Sequence, residues 1–177
     1  MDIGRIGIWT FTLDLVPSAQ SVEHVDELDE LGFGAVWVPE AVGREAFTSA
    51  ALLLRGGTDI TIATGIAGIY GRDPMTANAA HRTLTEAYPD RFLLGLGVSH
   101  QVMVEGVRKH DYSKPYSAMR SYLDGMDEAM FFAAPPTTEP QRVLAALGPR
   151  MLELARDRAE FVSNVEASLR EAEEEPD

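Results

Sequence analysis

Three strings in this sequence place reactive or ligand-contacting residue types where an apolar run gives way to a loop. Pro39-Glu40 offers a carboxylate that can orient a ligand or accept a proton, with a solvated loop glutamate or a helix-start charge as the competing reading. Thr64-Gly65-Ile66-Ala67-Gly68-Ile69-Tyr70-Gly71 spaces Gly65, Gly68 and Gly71 three apart, a pattern that admits unusual backbone dihedrals and the close approach of a flat ligand. The competing reading there is a flexible turn. Gly97-Val98-Ser99-His100 brings a hydroxyl and an imidazole to the end of an apolar run, which makes His100 the histidine of most interest. His24 and His81 fall within predicted helices, and His110 sits in a polar loop beside Asp111. None has a partner at metal-ligand spacing, so no metal site is expected.

Several chemistries are missing from the sequence. Without a single cysteine there is no disulfide, thiolate metal site, iron-sulfur cluster or cysteine nucleophile. There is no Gly-x-Ser-x-Gly, no phosphate loop ending in Gly-Lys-Ser/Thr, and no Gly-x-Gly-x-x-Gly, because Gly95-Leu96-Gly97 runs on into Val98-Ser99-His100. With neither nucleophile nor metal in view, an enzyme built on this chain takes its chemistry from a bound organic cofactor. The balance of 15 Lys+Arg against 28 Asp+Glu leaves a net charge of −13, which repels phosphate backbones, so nucleic acid is not an expected partner. The chain opens Met1-Asp2-Ile3-Gly4-Arg5 with no basic stretch before an apolar run. No segment approaches the roughly 20 apolar residues of a bilayer span, so a cytoplasmic protein away from membranes is expected.

The elements that must position these residues follow from periodicity. A chain of 177 residues with 45% hydrophobic and 24% charged residues is long and apolar enough to bury one core. Arg5 to Thr10 is a short β-compatible run, and from Ser18 to Leu31 the residues Val22, Val25, Leu28 and Leu31 recur at helical spacing until Gly32. Ala35 to Val38 and then Glu45 to Arg55 repeat the strand-helix order. A third unit runs from Ile60–Thr64 to a helix that Asp73-Pro74 opens and Tyr88 ends. Phe92 to Val98 is apolar on both faces and so central. It precedes a long loop and a helix from Pro115 whose Tyr116, Met119, Leu123, Met126 and Met130 are expected to form a core stripe. Val143 to Leu147 and the helix opened by Gly148-Pro149 make a fifth unit. Phe161, Val162, Val165 and Leu169 extend one amphipathic helix, before an acidic end from Glu171. Five βα units specify a parallel α/β sheet with outer helices. At about 31 residues per unit they make either an incomplete eight-unit barrel or a complete five-stranded doubly wound sheet.

The strand-end strings resemble the luciferase-like monooxygenase superfamily, particularly its coenzyme F420-dependent branch. The resemblance is carried by Leu31-Gly32-Phe33-Gly34-Ala35-Val36-Trp37-Val38-Pro39-Glu40, by Ile62-Ala63-Thr64-Gly65-Ile66 with Arg72-Asp73-Pro74, and by Arg91-Phe92-Leu93-Leu94-Gly95-Leu96-Gly97-Val98-Ser99. Met119-Arg120-Ser121-Tyr122-Leu123-Asp124-Gly125-Met126 and Ala145-Ala146-Leu147-Gly148-Pro149-Arg150-Met151-Leu152-Glu153-Leu154-Ala155 continue it in order. It implies an incomplete (β/α)₈, TIM-barrel-like sheet and a flavin- or deazaflavin-dependent oxidoreductase or monooxygenase acting on a small-molecule substrate. F420 is the implied cofactor and FMN the alternative. By position, the cofactor contacts fall on Glu40, on Thr64, Gly65 and Ile66, where relatives hold a strained peptide behind the isoalloxazine ring, and on Gly97, Val98, Ser99 and His100. His100 and Glu40 are the catalytic candidates.

Where relatives continue into a sixth strand, this sequence has Glu160-Phe161-Val162-Ser163-Asn164 and an acidic tail. Residues 1–159 are therefore read as a partial barrel domain and 160–177 as a helical extension and acidic tail. A non-catalytic remnant serving assembly or weak ligand binding is the rival functional reading. A homodimer or larger assembly is expected through Ala77, Ala80, His81 and Leu84 of the third helix, unless these pack against the chain's own sheet; the alternative cover for the open sheet is the terminal helix.

Overall fold

The computed structural model describes residues 1–163, the last three as backbone alone. In chain order the elements are β1 (Gly7–Trp9), α1 (Ser18–Glu30), β2 (Ala35–Val38), α2 (Ala46–Leu53), β3 (Thr61–Thr64), β4 (Ala67–Gly68), α3 (Pro74–Ala87), β5 (Phe92–Gly97), α4 (Pro115–Asp127), β6 (Arg142–Ala145), α5 (Pro149–Arg158) and β7 (Phe161–Ser163). All pairings are parallel, in the order β1-β2-β3-β5-β6-β7, with β4 joined to β5. The sheet is open, with β1 and β7 at its two edges among the described residues. It is the incomplete, barrel-type parallel sheet expected from the sequence.

Three local features depart from expectation. Phe161–Ser163, expected to start a helix, is a strand in register with Val143–Ala145. The remainder of the expected helix and the acidic tail, including Val165 and Leu169, lies outside the described residues. The glycine-punctuated stretch after β3 contains the two-residue strand β4, and the long loop after β5 contains a π-helical turn over Val102–Val107.

The helix starts follow from their caps. Glu45 accepts hydrogen bonds from the N–H groups of Phe47 and Thr48, and Asp73 accepts one from Thr76 ahead of Pro74. Alternation along the strands then divides the interior in two. Val36, Ile62, Phe92, Leu94, Leu96 and Leu144 face the helices in the larger core, each worth about 1.5–3 kcal/mol of burial. The opposite face is small: Ala63, Leu93 and Val143, packed against Met1, Ile3 and Trp37. The register aligns Trp9, Trp37, Ala63 and Leu93 in one row across this inner face.

The helix face expected to meet a second subunit turns inward. Ala77, His81 and Leu84 are buried in the chain's own core, and His81 lies edge-on to Phe92. Its Nε2 stands 3.0 Å from the Gln141 carbonyl and is assigned as the donor. Burial pushes the His81 pKa down to about 3; the bond to Gln141 opposes this, and the charges of Arg142 and Arg82 add to it.

Candidate functional site

Every strand-end residue singled out in the sequence ends or follows a strand of one parallel sheet, so Glu40 after β2, Thr64 to Ile66 at the end of β3, and Gly97 to His100 at the end of β5 share the carboxyl edge. Their side chains divide among three roles.

The first group shapes the inner face. The Gly65–Ile66 peptide is cis. Its carbonyl accepts from Trp9 Nε1 at 2.7 Å, and the flanking groups are held as well: Gly65 N–H donates to Val38 O at 2.8 Å and Glu40 N–H to Ile66 O at 3.2 Å. A Cβ on Gly65 would stand 3.0 Å from the Trp9 ring, and one on Gly97 would stand 2.7 Å from Ile66. The two glycines thus let the Trp9 indole and the Ile66 side chain lie directly against the backbone. With Ala145, which also borders Gly97, they form a partly exposed apolar floor. Phe11 packs edge-to-face on Trp9. Exposed Val42, Val102, Val107 and Leu147 stand on other loops at this edge. Large apolar side chains gathered there, on loops free to be polar, are the mark of a surface built to be covered.

The second group is occupied in holding the loops. Thr64 Oγ1 donates to Gly95 O and accepts from Gly95 N–H, both at 2.8 Å, so its hydroxyl completes the β3–β5 junction. Val98 packs against the helix-side core. The Glu40 side chain is 4% exposed: one oxygen accepts from Gly68 N–H at 2.8 Å and the other from Arg72. Arg72, itself only 7% exposed, also pairs with Glu45 at 2.9 Å, donates to Gly68 O and lies over the Phe47 ring. Both Glu40 oxygens are engaged, so this carboxylate clamps the loops after β2 and β3. Burial pushes the Glu45 carboxyl upward, but hydrogen bonds from Thr48 and Phe47 and the Arg72 charge bring it below the usual carboxylate range.

The third group lies on the loop after β5. Ser99 adopts a φ of +57°, in the left-handed region, and its carbonyl accepts from Tyr112 OH at 2.9 Å. His100 is exposed, and its carbonyl opens the π-helical turn by accepting from Met103 and Val104. Tyr112 and His110 flank Tyr70, whose hydroxyl is buried without a hydrogen-bond partner among the described residues. Burial raises the Tyr70 pKa, and Tyr112 and Asp111 raise it further. Between this loop and the one after β2 opens a cavity of about 330 Å³, bordered by Glu40, Val42, Glu45, Gly71, Val107 and Arg108.

Sequence reasoning missed Trp9, Arg72 and Arg108 as members of the site. Arg72 stood in a string that carried the family resemblance but was given no site role, and Trp9 ends the first strand with no local cue to its contact across the sheet. Among the described residues no group of three or more His, Asp or Glu side chains is placed to hold a metal ion, and no helix is long and apolar enough to cross a membrane.

The open barrel-type parallel sheet thus carries an apolar floor of Trp9, Ile66 and Ala145 at its carboxyl edge, the edge on which barrels of this kind place their ligand sites. The luciferase-like monooxygenase family profile matches residues 11–176, and the chain belongs to that family. A Mycobacterium tuberculosis protein assigned to the coenzyme F420-dependent oxidoreductases is 29% identical over 134 residues, covering 76% of this chain and 38% of its own length. The 5,10-methylenetetrahydromethanopterin reductase of Methanolobus tindarius is 27% identical over 173 residues, covering 86% and 53%. The chain thus spans about half or less of these curated relatives. Among solved structures, an F420-dependent secondary alcohol dehydrogenase in complex with an F420-acetone adduct superimposes with a TM-score of 0.75 at 16% identity, over 97% of this chain and 65% of that one. The FMN complex of the oxygenating constituent of a Pseudomonas putida 3,6-diketocamphane monooxygenase gives 0.68 at 12% identity, over 89% and 56%. These structural likenesses establish the fold.

Proposed function

We propose that this chain forms the ring-binding half of an F420-dependent oxidoreductase, with the deazaflavin seated against the carboxyl edge of the sheet. The observation that carries this reading is the floor of Trp9, Ile66 and Ala145 laid over Gly65 and Gly97, a partly exposed apolar surface on which a planar tricyclic ring could rest. The preference for F420 draws on the F420-dependent relatives, and the FMN-bound neighbour keeps FMN as the second reading. When bound, such a ring supplies hydride or oxygen chemistry. The residues of this chain support and orient it: Gly65 and Ile66 hold the floor through their backbone bonds, and Glu40 with Arg72 fixes the loop that carries them. His100, exposed on the loop that follows Gly97, is the candidate for moving a proton to or from substrate. The assembly-only reading draws no support from this edge.

The test is a titration of purified protein with F420 and with FMN, followed by ring fluorescence. Saturable quenching that weakens when Gly97→Val fills the floor supports the reading; no response to either ring overturns it. In the same proposal the chain self-associates through the apolar groove between α2 and α3, about 620 Å³ lined by Phe47, Ala51, Met75, Ala79 and Ala80. Light scattering above the monomer mass of 19.3 kDa is the expected result.

A further inference from the structure

Two arginines approach Glu40, and they differ in how their donors are used. Arg72 is buried and engaged on all sides by Glu40, Glu45, Gly68 O and the Phe47 ring. Arg108 reaches Glu40 only at 3.7 Å, beyond hydrogen-bond range, and its guanidinium makes no hydrogen bond among the described residues. It is 29% exposed and borders the cavity of about 330 Å³ at the carboxyl edge. The other arginine at that cavity, Arg44, is spent: it donates to Leu13 O at 2.6 Å and Val16 O at 2.7 Å and lies 3.7 Å from Asp14. Arg108 is thus the cation at the cavity whose fork of donors is open, with the Glu40 carboxylate 3.7 Å behind it.

A guanidinium with free donors, set in a concave site and backed by a buried carboxylate, matches a planar or tetrahedral oxyanion in a two-pronged geometry. The cavity adjoins the apolar floor through Glu40, whose N–H donates to Ile66 O. We propose that Arg108 is an oxyanion receptor beside the ring site, binding a carboxylate or phosphate group carried by the ligand. This assignment rests on the proposed ring site for its role. The oxyanion contact itself is testable without any ring.

The experiment follows the NMR signals of the Arg108 Nε–H and the Gly71 and Val107 amides while sodium phosphate or sodium acetate replaces sodium chloride at constant ionic strength. Saturable shifts at these three residues are expected, with affinity at least tenfold weaker in Arg108→Gln and an intermediate loss in Arg108→Lys. Shifts no larger than those in chloride overturn the proposal, and this wild-type measurement decides even if a variant fails to fold. The source of the oxyanion comes from paired rings: FMN against riboflavin, and F420 against its deazaflavin core without the phosphate tail. A preference for the phosphorylated ring that disappears in Arg108→Gln assigns the site to the cofactor. Equal ring affinities in both proteins, with acetate still bound by ring-loaded wild type, assign it to the substrate. If no ring binds but phosphate saturates Arg108, the ring proposal fails and the receptor stands.

Discussion

The two edges of the sheet use charge differently. At the amino edge, charged side chains close on the backbone and on one another. Asp29 accepts from the N–H groups of Thr58 and Ile60, Arg91 donates to Gly56 O and Ile60 O, and Arg142 and Arg158 share Asp127. At the carboxyl edge, Glu40 and Arg72 clamp the loops, yet Arg108 keeps open donors and Trp9, Phe11, Val42 and Val107 face solvent. The amino edge spends its polar groups on holding the chain together. The carboxyl edge retains open donors and exposed apolar side chains, the features on which the proposed ring and oxyanion sites rest.

The contrast is broken most forcefully at a carboxyl-edge group that behaves like those of the amino edge. Glu40→Ala leaves the buried Arg72 with Glu45 as its remaining carboxylate partner and removes the acceptor of Gly68 N–H. A loss of about 3–5 kcal/mol is expected in urea denaturation. A cost within about 0.5 kcal/mol would show that the clamp carries no stability.

Acid tests the amino-edge side of the core. His81 has a folded pKa lowered to about 3 against an ordinary value near 6.5, so the unfolded chain takes up a proton first as pH falls. Its contribution is therefore complete above about pH 6.5 and is lost progressively toward pH 3, by about 2 kcal/mol between pH 7.5 and pH 5. Urea midpoints at the two pH values read this loss, and His81→Gln is expected to abolish it; an unchanged pH dependence in that variant contradicts the assignment.

Asp29→Ala removes the acceptor that gathers the turn before β3, and should cost about 1–2 kcal/mol while leaving ring affinity unchanged. Weaker ring binding in a folded Asp29→Ala protein would mean that the edges are coupled. The smallest stability effect is expected for Arg108→Gln, within about 0.5 kcal/mol, because its guanidinium is partly exposed and without hydrogen bonds. A large loss there would make Arg108 structural and erase the difference from Arg72.

The order of strands and helices, and the edge on which the loop residues fall, were readable from the chain. Val22, Val25 and Leu28 declare a helix by spacing, Asp73-Pro74 declares its start, and successive parallel units put every post-strand residue at one edge. Phe161–Ser163 was not readable, because three residues between Glu160 and Asn164 carry too short a pattern to distinguish a strand from the first turn of a helix. Its identity comes from pairing with β6. The fate of individual side chains was likewise set by distant partners. Glu40 looks like a free loop carboxylate until the fold brings Arg72 and Gly68 N–H to its two oxygens, and Val98 and Gly97, adjacent in sequence, part to opposite faces of the sheet. Local periodicity reaches only a few residues along the chain, so it specifies elements and their ends. Which carboxylate is consumed, and which arginine keeps its donors, depends on contacts between loops that meet only when the sheet has formed.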